Sequence, residues 1–263
     1  MKFNKYLPSD KLTPFVKAYY SIETTEKELQ FNHPQGGIDI VFLLRGKMIF
    51  YKENKQISCS NITFIPQQKS FFKIELSENT NIIGVTFFPE AFHHFFLLNS
   101  AEFLNCCLNL DGFSLELSEL FYCVSETPQR FVELFETFLM KKLTQALHID
   151  LRFTLFLETV NKNYRTISVK EMANILNVSV RTLERRFKEH MGISPKQHIK
   201  NLRLNHAIDH IQHLESKHFG TLVYSFGYYD QMHFIKDFKV FTGKTPKRYF
   251  RKTDELTLFF QSM

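Results

Sequence analysis

The chain has 263 residues, of which 44% are hydrophobic, with 9 glycines and 8 prolines. This length is enough for two ordinary domains, and the composition excludes a disordered or fibrous chain. No apolar run approaches the roughly 18 residues of a membrane span. The first residues, MKFNKYLPSD, lack the apolar stretch of a signal peptide. We therefore expect a cytoplasmic protein.

Charge divides the chain into two unequal parts. Residues 1–155 hold 15 Lys and Arg against 17 Asp and Glu, whereas residues 156–263 hold 18 against 10. The net charges are therefore −2 and +8, and the basic surplus belongs to the C-terminal part. Such a surplus indicates a domain that meets a polyanion, most often nucleic acid. A merely soluble basic domain is the alternative on charge alone.

The N-terminal part shows strand patterns followed by helical ones. The strand-like runs are 38–51, 61–66, 70–76 and 81–88. After Pro89 the apolar spacing becomes helical, in runs at 91–98, 115–124 and 129–147. From about residue 150 onward there is no convincing strand pattern. The sequence thus predicts an α+β N-terminal domain, β-rich with trailing helices, over 1–147, and an all-α C-terminal domain over 148–256.

The C-terminal part contains two short helical patterns, broken near Asn177, within SVKEMANILNVSVRTLERRFKEHMG (168–192). Ser168 and Ser179 are placed to cap the first and second helix through their hydroxyl oxygens. Asn177 occupies a turn position that requires a positive φ, which Asn tolerates better than most residues. Phe187 faces back toward the first helix. This arrangement is a helix-turn-helix.

The same pattern recurs 51 positions later. FKEHMGISPK (187–196) and FKVFTGKTPK (238–247) share Phe-Lys, Gly and Pro-Lys at identical spacing. Glycine followed by proline ends a helix, so both stretches mark the exit of a second, recognition helix. Gly227 and Asp230 supply the turn and the cap of the second unit. The sequence therefore predicts two helix-turn-helix units with recognition helices over 179–190 and 230–241.

A helical pattern over 199–214 joins the two units. Its 16 residues would span about 24 Å. This is somewhat short of the ~34 Å between successive major grooves on one face of DNA. We therefore expect the two units to read adjacent major-groove segments of a bent duplex.

Three stretches carry a resemblance to a known family. They are RTLERRFKEHMGISPKQHI, the Arg203-Leu204 pair followed by Ala207, and FGYYDQMHFIKDFKVFTGKTPKRY (226–249). Through them, the region from about 155 to 251 resembles the DNA-binding domain of the AraC/XylS family of transcriptional regulators. LPSDKLTPFVKAYYSIE, HPQGGIDIVF and GVTFFPEAF resemble a sensor-like domain found in some of these regulators.

The resemblance implies a bacterial transcription regulator with double-stranded DNA and RNA polymerase as partners, and activation rather than repression. It also implies modulation at the N-terminal domain by a small-molecule effector or a partner. In this family the end of the N-terminal domain often makes a dimer contact. The apolar stripe of the helix over 129–147, which includes Leu134, Phe138 and Leu139, either packs on the β-domain or pairs two chains; core packing is the favoured interpretation.

Candidate DNA contacts follow from the outward faces of the two recognition helices. On the first helix they are Val180, Arg181, Glu184, Arg185 and Lys188. The equivalent positions on the second helix are Gln231, Met232, Ile235, Lys236 and Lys239. Arg181 and Arg185 are suited to bidentate contact with guanine, and the alternative is that they contact phosphate only. Gln231 is suited to contact with adenine. Glu184 either accepts from cytosine or keeps phosphate away, and Met232 or Ile235 suits a thymine methyl. Predicted phosphate contacts are Lys188, Lys196, Lys239, Lys244 and Lys247.

Other candidate sites receive a structural interpretation. His206, His210 and His213 form a stripe that is better explained as a solvated face than as a metal site. Cys59, Cys106, Cys107 and Cys123 show no Cys-x-x-Cys spacing, so we expect buried, reduced thiols. There is no glycine-rich phosphate loop or nucleophile elbow.

We therefore expect no enzyme, no catalytic residue, no metal and no cofactor. A small pocket lined by Asp39, Arg45 and Tyr51 is conceivable in the N-terminal domain. The alternatives are a small-molecule-binding or enzymatic N-terminal domain with a DNA-binding appendage, and a DNA binder with little sequence preference.

Overall fold

The computed structural model describes residues 1–96, 107–111, 115–123, 127–145, 152–212 and 223–250, with the exception of the side chains of His93, His94, Cys123 and Gln212. Ten strands and nine helices occur in these ranges. The strands all lie in the N-terminal half, and the described residues beyond 151 contain only helices and turns. This confirms the predicted fold class, a β-rich domain with trailing helices followed by an all-α part.

The strands form two antiparallel sheets. The six-stranded sheet has the order β1 (Lys2–Tyr6), β2 (Val16–Glu23), β9 (Asn81–Phe87), β4 (Ile38–Arg45), β7 (Ile62–Ile65), β10 (Leu108–Asn109). The four-stranded sheet has the order β3 (Glu28–Asn32), β8 (Phe72–Leu76), β5 (Met48–Lys52), β6 (Lys55–Ser58). Every paired strand is antiparallel to its neighbour.

Both faces of the six-stranded sheet are buried. Tyr19 and Phe42 belong to the apolar cluster on the helical side, whereas Tyr20 and Val41 belong to the cluster shared with the four-stranded sheet. Successive residues of a strand point to opposite faces, so a strand buried on both sides reads as a continuous apolar run. We call the two sheets together with the helices α1 (Pro89–Phe95), α2 (Leu115–Cys123) and α3 (Pro128–Gln145) the β-domain.

The predicted strand over 38–51 is in fact two strands in different sheets. β4 and β5 are separated at Gly46, which has a φ of 90°. A Cβ at Gly46 would lie 2.3 Å from the Thr80 hydroxyl oxygen, so only glycine fits this turn. The apolar run alone could not show the break because both strands are buried.

Three helices complete the β-domain, namely α1 (Pro89–Phe95), α2 (Leu115–Cys123) and α3 (Pro128–Gln145). Phe131 and Phe135 of α3 pack edge-on against Phe42 with ring centroids 5.1 and 5.8 Å apart. Phe138 and Leu139 are buried in the same cluster, which confirms core packing for these two residues. Leu134 is only half-buried.

Six helices of the C-terminal part lie wholly within the described residues. They are α4 (Arg152–Lys162), α5 (Val169–Ile175), α6 (Val180–Met191), α7 (Pro195–Gln212), α8 (Gln231–Thr242) and α9 (Pro246–Tyr249). The linker helix α7 begins four residues before the predicted start. Its 18 residues span about 27 Å. None of the helices described is long and apolar enough to cross a membrane.

Each helix-turn-helix unit has its own apolar cluster. Leu183 and Phe187 of α6 lie in the first, and Phe234 and Phe238 of α8 lie in the second. The predicted domain boundary at 147/148 and the end at 256 fall outside the described residues, so these limits stay predictions. Residues 213–222, which precede the turn at Gly227, also fall outside the described residues.

The turn of the second unit depends on Gly227. Its φ is 79°, and an added Cβ would lie 2.5 Å from the Arg165 carbonyl oxygen. We expect Gly227→Ala to lower the free energy of unfolding by about 1–3 kcal/mol because it combines backbone strain with a steric clash. Urea unfolding measures this change.

The control is Asn177→Gly in the first turn, where φ is 51°. Glycine adopts this φ without strain, so the free energy of unfolding of this variant should lie within about 1 kcal/mol of that of the unmodified chain. A Gly227→Ala midpoint equal to that of the unmodified chain would contradict the prediction.

Candidate nucleic-acid interface

The first helix-turn-helix unit consists of α5 and α6, and local hydrogen bonds fix its ends. The Ser168 hydroxyl oxygen accepts from the Glu171 amide at 3.2 Å, and the Glu171 carboxylate accepts from the Ser168 amide at 2.7 Å. Asn177 has the predicted positive φ of 51°. The Ser179 hydroxyl oxygen accepts from the Thr182 amide at 3.1 Å and so caps the recognition helix.

The second unit repeats these features around α8. The Asp230 carboxylate accepts from the His233 amide at 2.8 Å, at the position 51 residues beyond Ser179. Both recognition helices end in a left-handed glycine, Gly192 with φ 72° and Gly243 with φ 76°. The predicted caps and exits of both recognition helices are therefore confirmed.

Most predicted contact residues of the first unit are exposed. Arg181, Glu184, Arg185, Lys188 and Lys196 all have exposed side chains. The Arg185 guanidinium forms an ion pair with the Glu189 carboxylate one turn later, at 2.9 Å. A surface pair of this kind contributes little to stability, so the guanidinium is available to a stronger acceptor.

The predicted residues of the second unit lie in two environments. Gln231, Met232, Lys236, Lys239 and Lys247 are exposed, and Met232 has 77% of its surface accessible. Ile235 is half-buried and packs against the apolar cluster of its own unit. Only part of its side chain is therefore presented on the outer face of α8.

Sequence reasoning did not select Tyr229. This residue precedes the cap Asp230 and is 90% exposed. An aromatic ring with so much accessible surface at the start of a recognition helix adds an apolar and hydrogen-bonding group to the outer face. The sequence did contain a signal for this residue. Tyr229 is an aromatic residue directly before a helix cap, a position where the fold requires no contact with the core.

Arg203 of the linker helix joins the two units. Its guanidinium donates to the carbonyl oxygens of Tyr164 at 3.0 Å, Arg165 at 3.0 Å and Gly227 at 3.1 Å. Tyr164 and Arg165 precede the first unit, and Gly227 is the turn of the second. One planar, permanently charged group therefore holds the backbones of both units in one geometry.

The β-domain lies against the end of the second unit. The His33 ring packs on Phe241 with centroids 5.3 Å apart, and the Lys244 ammonium lies 4.6 Å above the Phe31 ring. The linker helix joins this contact, since the Asn205 amide donates to the Pro34 carbonyl oxygen at 3.1 Å. Lys244 was predicted to contact phosphate, and its ammonium faces the β-domain instead.

A cavity of about 80 Å³ lies between the two sheets. Its apolar end includes Val41 and Met48, and its polar end includes Lys17, Asn32 and Asp39. The Thr86 hydroxyl donates to Asp39 Oδ1 at 2.5 Å. Burial raises the pKa of Asp39 to about 6 and lowers the pKa of Lys17. The polar end thus combines hydrogen-bond donors with a carboxyl group that titrates near neutral pH.

The prediction of a pocket lined by three residues is correct only for Asp39. Arg45 lies at the end of β4, where its guanidinium donates to the Asn79 carbonyl oxygen at 3.1 Å. Tyr51 alternates with the inward-facing Phe50, so its side chain lies on the opposite face of β5. Neither residue lines the cavity.

The histidine stripe of the linker helix does not form a metal site in the described part of the chain. The His206 ring stacks on Tyr164 with centroids 4.0 Å apart, and His210 packs edge-on against Phe226. His213 lies outside the described residues. No group of three or more His, Cys, Asp or Glu side chains is arranged for metal binding among the residues described.

Two domain families match the sequence. A family described as "Helix-turn-helix domain" matches residues 172–252, which run from α5 through α9. Residues 172–252 therefore match a helix-turn-helix domain of the AraC type. A second family, described as "Domain of unknown function (DUF6597)", matches residues 4–109 of the β-domain. Comparison with curated proteins finds no match.

A solved structure has a fold similar to that of this chain. ToxT from Vibrio cholerae has 12% identity over 97% of this chain and 100% of that chain, with a TM-score of 0.51. This similarity shows a shared fold.

Two further structures have lower TM-scores. The structure of unsaturated fatty acid-bound ToxT from Vibrio cholerae strain SCE256 has 15% sequence identity to this chain and a TM-score of 0.46. The match covers 88% of this chain and 92% of that chain. A Chromobacterium violaceum transcriptional regulator with an AraC-type DNA-binding domain has 26% sequence identity and a TM-score of 0.33. The match covers 35% of this chain and 83% of that chain.

The geometry of the AraC-type domain should depend on the fork of Arg203. Arg203→Lys keeps the charge but cannot satisfy three carbonyl oxygens with a planar group. We expect the free energy of unfolding to fall by about 1–3 kcal/mol, because hydrogen bonds to a charged group are lost. Urea unfolding of the full chain measures the change.

The matched control is Arg165→Lys. The Arg165 side chain is exposed and, among the described residues, donates to the neighbouring Tyr164 hydroxyl, whereas its carbonyl oxygen remains to accept from Arg203. This variant should remain within about 0.5 kcal/mol of the unmodified chain. Equal losses for the two variants would show that Arg203 has no special role.

Proposed function

We propose that this DNA-binding transcription regulator is sequence-specific and reads two adjacent major-groove segments with its two recognition helices, 179–190 and 230–241. The supporting observation is that α6 and α8 have equivalent caps and exits and are joined through Arg203. Two helices with exposed, chemically varied faces at a fixed separation suit direct readout of base edges.

The residues divide into base readers and phosphate contacts. Arg181 and Arg185 present guanidinium groups suited to guanine, and Gln231 presents an amide suited to adenine. Met232 suits a thymine methyl, and Ile235 adds the exposed part of its side chain. Glu184 discriminates by accepting from cytosine or by repelling phosphate.

The phosphate contacts are lysines on or near the two helices. They are Lys188, Lys196, Lys236, Lys239 and Lys247, all with exposed side chains. Such contacts position the protein on the duplex without specifying its sequence. They supply most of the salt-dependent part of the affinity.

An effector site in the β-domain is the second part of the proposal. The amide nitrogen of Asn32 is buried at the polar end of the cavity with no hydrogen-bond partner among the described residues. Buried polar groups normally have partners. The opposite end of the cavity is apolar. We propose a small molecule with an apolar body and a hydrogen-bonding end.

The same cavity wall touches the DNA-binding part. His33 lines the cavity, and its ring also packs on Phe241 near the end of α8. A ligand that prefers one arrangement of this wall would therefore change the DNA affinity, and DNA would change the ligand affinity by the same factor. Native mass spectrometry of the gently purified full chain tests this site. A small-molecule adduct that Asn32→Leu abolishes supports it, and the same adduct in the variant contradicts it.

We further propose that the protein acts on DNA in the cytoplasm and activates transcription through contact with RNA polymerase.

We also propose that two chains form a homodimer through the helix over 129–147. Next to that helix, α2 exposes Leu115 and Tyr122 at 82% and 84%. An ion pair of 2.5 Å between Lys142 and Glu116 connects the two helices. Light scattering that shows only monomer at tens of micromolar contradicts the dimer.

Two alanine variants separate base reading from phosphate binding. Arg185→Ala should weaken binding to the preferred site by about 1–3 kcal/mol with little loss on random DNA, because a base contact discriminates. Lys196→Ala should weaken binding to both DNAs, because a phosphate contact does not discriminate between sequences. It should also reduce the slope of the logarithm of the affinity against the logarithm of the salt concentration by about 1. Fluorescence anisotropy over a salt series measures both effects.

The Arg185–Glu189 ion pair provides the matched control. Glu189→Gln removes the partner and leaves the arginine, so binding to the preferred site should be unchanged or tighter. Equal losses on preferred and random DNA for Arg185→Ala would remove its assignment as a base reader.

The proposed function as a whole is tested by selecting genomic DNA fragments with the purified full chain. The best fragment is then titrated against its scrambled sequence at about 150 mM salt, since DNA affinities depend on salt. A recurrent motif of about two helical turns, bound about 10³-fold or more over the scramble, is expected. No motif and a ratio near one would favour a DNA binder with little sequence preference.

A further inference from the structure

Two cysteines that are far apart in sequence meet inside the β-domain. Cys59 follows β6 and Cys107 directly precedes β10, and their sulfur atoms lie 4.0 Å apart. Both residues are buried, with 9% and 4% of their surface accessible. The sequence suggested only buried packing thiols, because no spacing rule connects positions 59 and 107.

The backbones around the two thiols are held in place by one residue. Asn109 Oδ1 accepts from the Ser60 amide at 2.9 Å, and Asn109 Nδ2 donates to the Ser58 carbonyl oxygen at 3.3 Å. Asn109 thus binds both neighbours of Cys59 and itself lies two residues after Cys107. The strand pair of Leu108 with Phe64 adds a further restraint. The two thiols therefore stay close without any backbone rearrangement.

The contact between the thiols also affects the ionisation of Cys59. The Cys107 thiol, acting as a hydrogen-bond partner, lowers the pKa of the Cys59 thiol. The Cys59 sulfur also lies 3.9 Å from the Ile57 carbonyl oxygen. A thiolate is the reactive form of cysteine, so this shift favours reaction at Cys59. To form a disulfide, the sulfur atoms would move from this contact distance to ~2.05 Å.

We propose that Cys59 and Cys107 are a redox modification site that forms an intramolecular disulfide, with a peroxide as the oxidant. The Cys59 thiolate attacks one oxygen of hydrogen peroxide, breaks the O–O bond and becomes a sulfenic acid as hydroxide leaves. The Cys107 thiolate attacks the sulfenic sulfur, and a second hydroxide leaves. The two thiol protons convert both hydroxides to water, so two thiols and one peroxide give one disulfide and two waters.

The disulfide would connect the segment 107–111 covalently to the turn between β6 and β7. The pair shares an apolar cluster with Met48 and Ile65, which also line the cavity between the sheets. Oxidation would therefore change the packing next to the proposed effector site. The proposal itself depends on the cysteine geometry and not on the identity of any effector.

The test uses the full-length double variant Cys106→Ser/Cys123→Ser, which leaves only the two cysteines of the proposed site. The folded protein is treated with hydrogen peroxide, denatured and alkylated, and its intact mass is measured. We expect no alkylation after peroxide, a mass loss of about 2 Da for the disulfide, and recovery of both thiols with dithiothreitol. Adding Cys59→Ser to this background should leave the Cys107 thiol available for alkylation.

A peptide map of the peroxide-treated chain without substitutions gives the same information if the variant folds poorly. The expected result is a peptide pair cross-linked through Cys59 and Cys107. Alkylation of both thiols after peroxide treatment overturns the proposal, as does a cross-link to Cys106, to Cys123 or to a second chain. Oxidation of Cys59 to the sulfinic acid without a cross-link also overturns it.

Discussion

The arrangement of the DNA-binding part depends on three hydrogen bonds from one guanidinium group. Arg203 extends from the linker helix to Tyr164 and Arg165 on one side and to Gly227 on the other. In the described part of the chain, the two helix-turn-helix units have separate apolar clusters, and the linker helix contributes residues to both. Three carbonyl oxygens around a planar donor define an orientation as well as a distance. The spacing between the recognition helices is therefore set by where the backbone places these three carbonyl oxygens.

Gly227 belongs to the same interaction. Its carbonyl oxygen accepts from Arg203, and the missing Cβ leaves room for the Arg165 carbonyl oxygen. The β-domain adds a second constraint at the other end of the unit, where Phe71 packs within 2.9 Å of the position that a Gly243 Cβ would occupy. The second unit is thus held at its turn by the linker helix and at its exit by the β-domain.

The sequence predicted those features that local chemistry determines. Ser179, Asp230, Gly192 and Gly243 each have a capping or φ requirement that is visible in the residue itself, and the structure confirms all four. The repeat at 51 positions then predicted the second unit from the first. The outward helix faces followed from helical periodicity, with Ile235 only partly exposed because the second cluster extends beneath it.

The features that the sequence did not predict depend on contacts between distant segments. The break at Gly46 was hidden because β4 and β5 both read as buried strands. The role of Lys244 was missed because Phe31, its partner, lies in the other part of the chain. The cysteine pair was missed for the same reason. No local pattern records which segments a fold brings together, so these contacts required the three-dimensional arrangement.

The central claim is that the two recognition helices act as one rigid reader of DNA. The most direct test measures the affinity of the full chain for its selected site with zero to about ten base pairs inserted between the two half-sites. An insertion of about five base pairs, half a helical turn, moves the half-sites to opposite faces of the duplex. The account predicts at least about a tenfold loss of affinity, or 1.4 kcal/mol, for that insertion. Affinity that is independent of the insertion would show that the units bind as two separately mobile modules and would contradict the account.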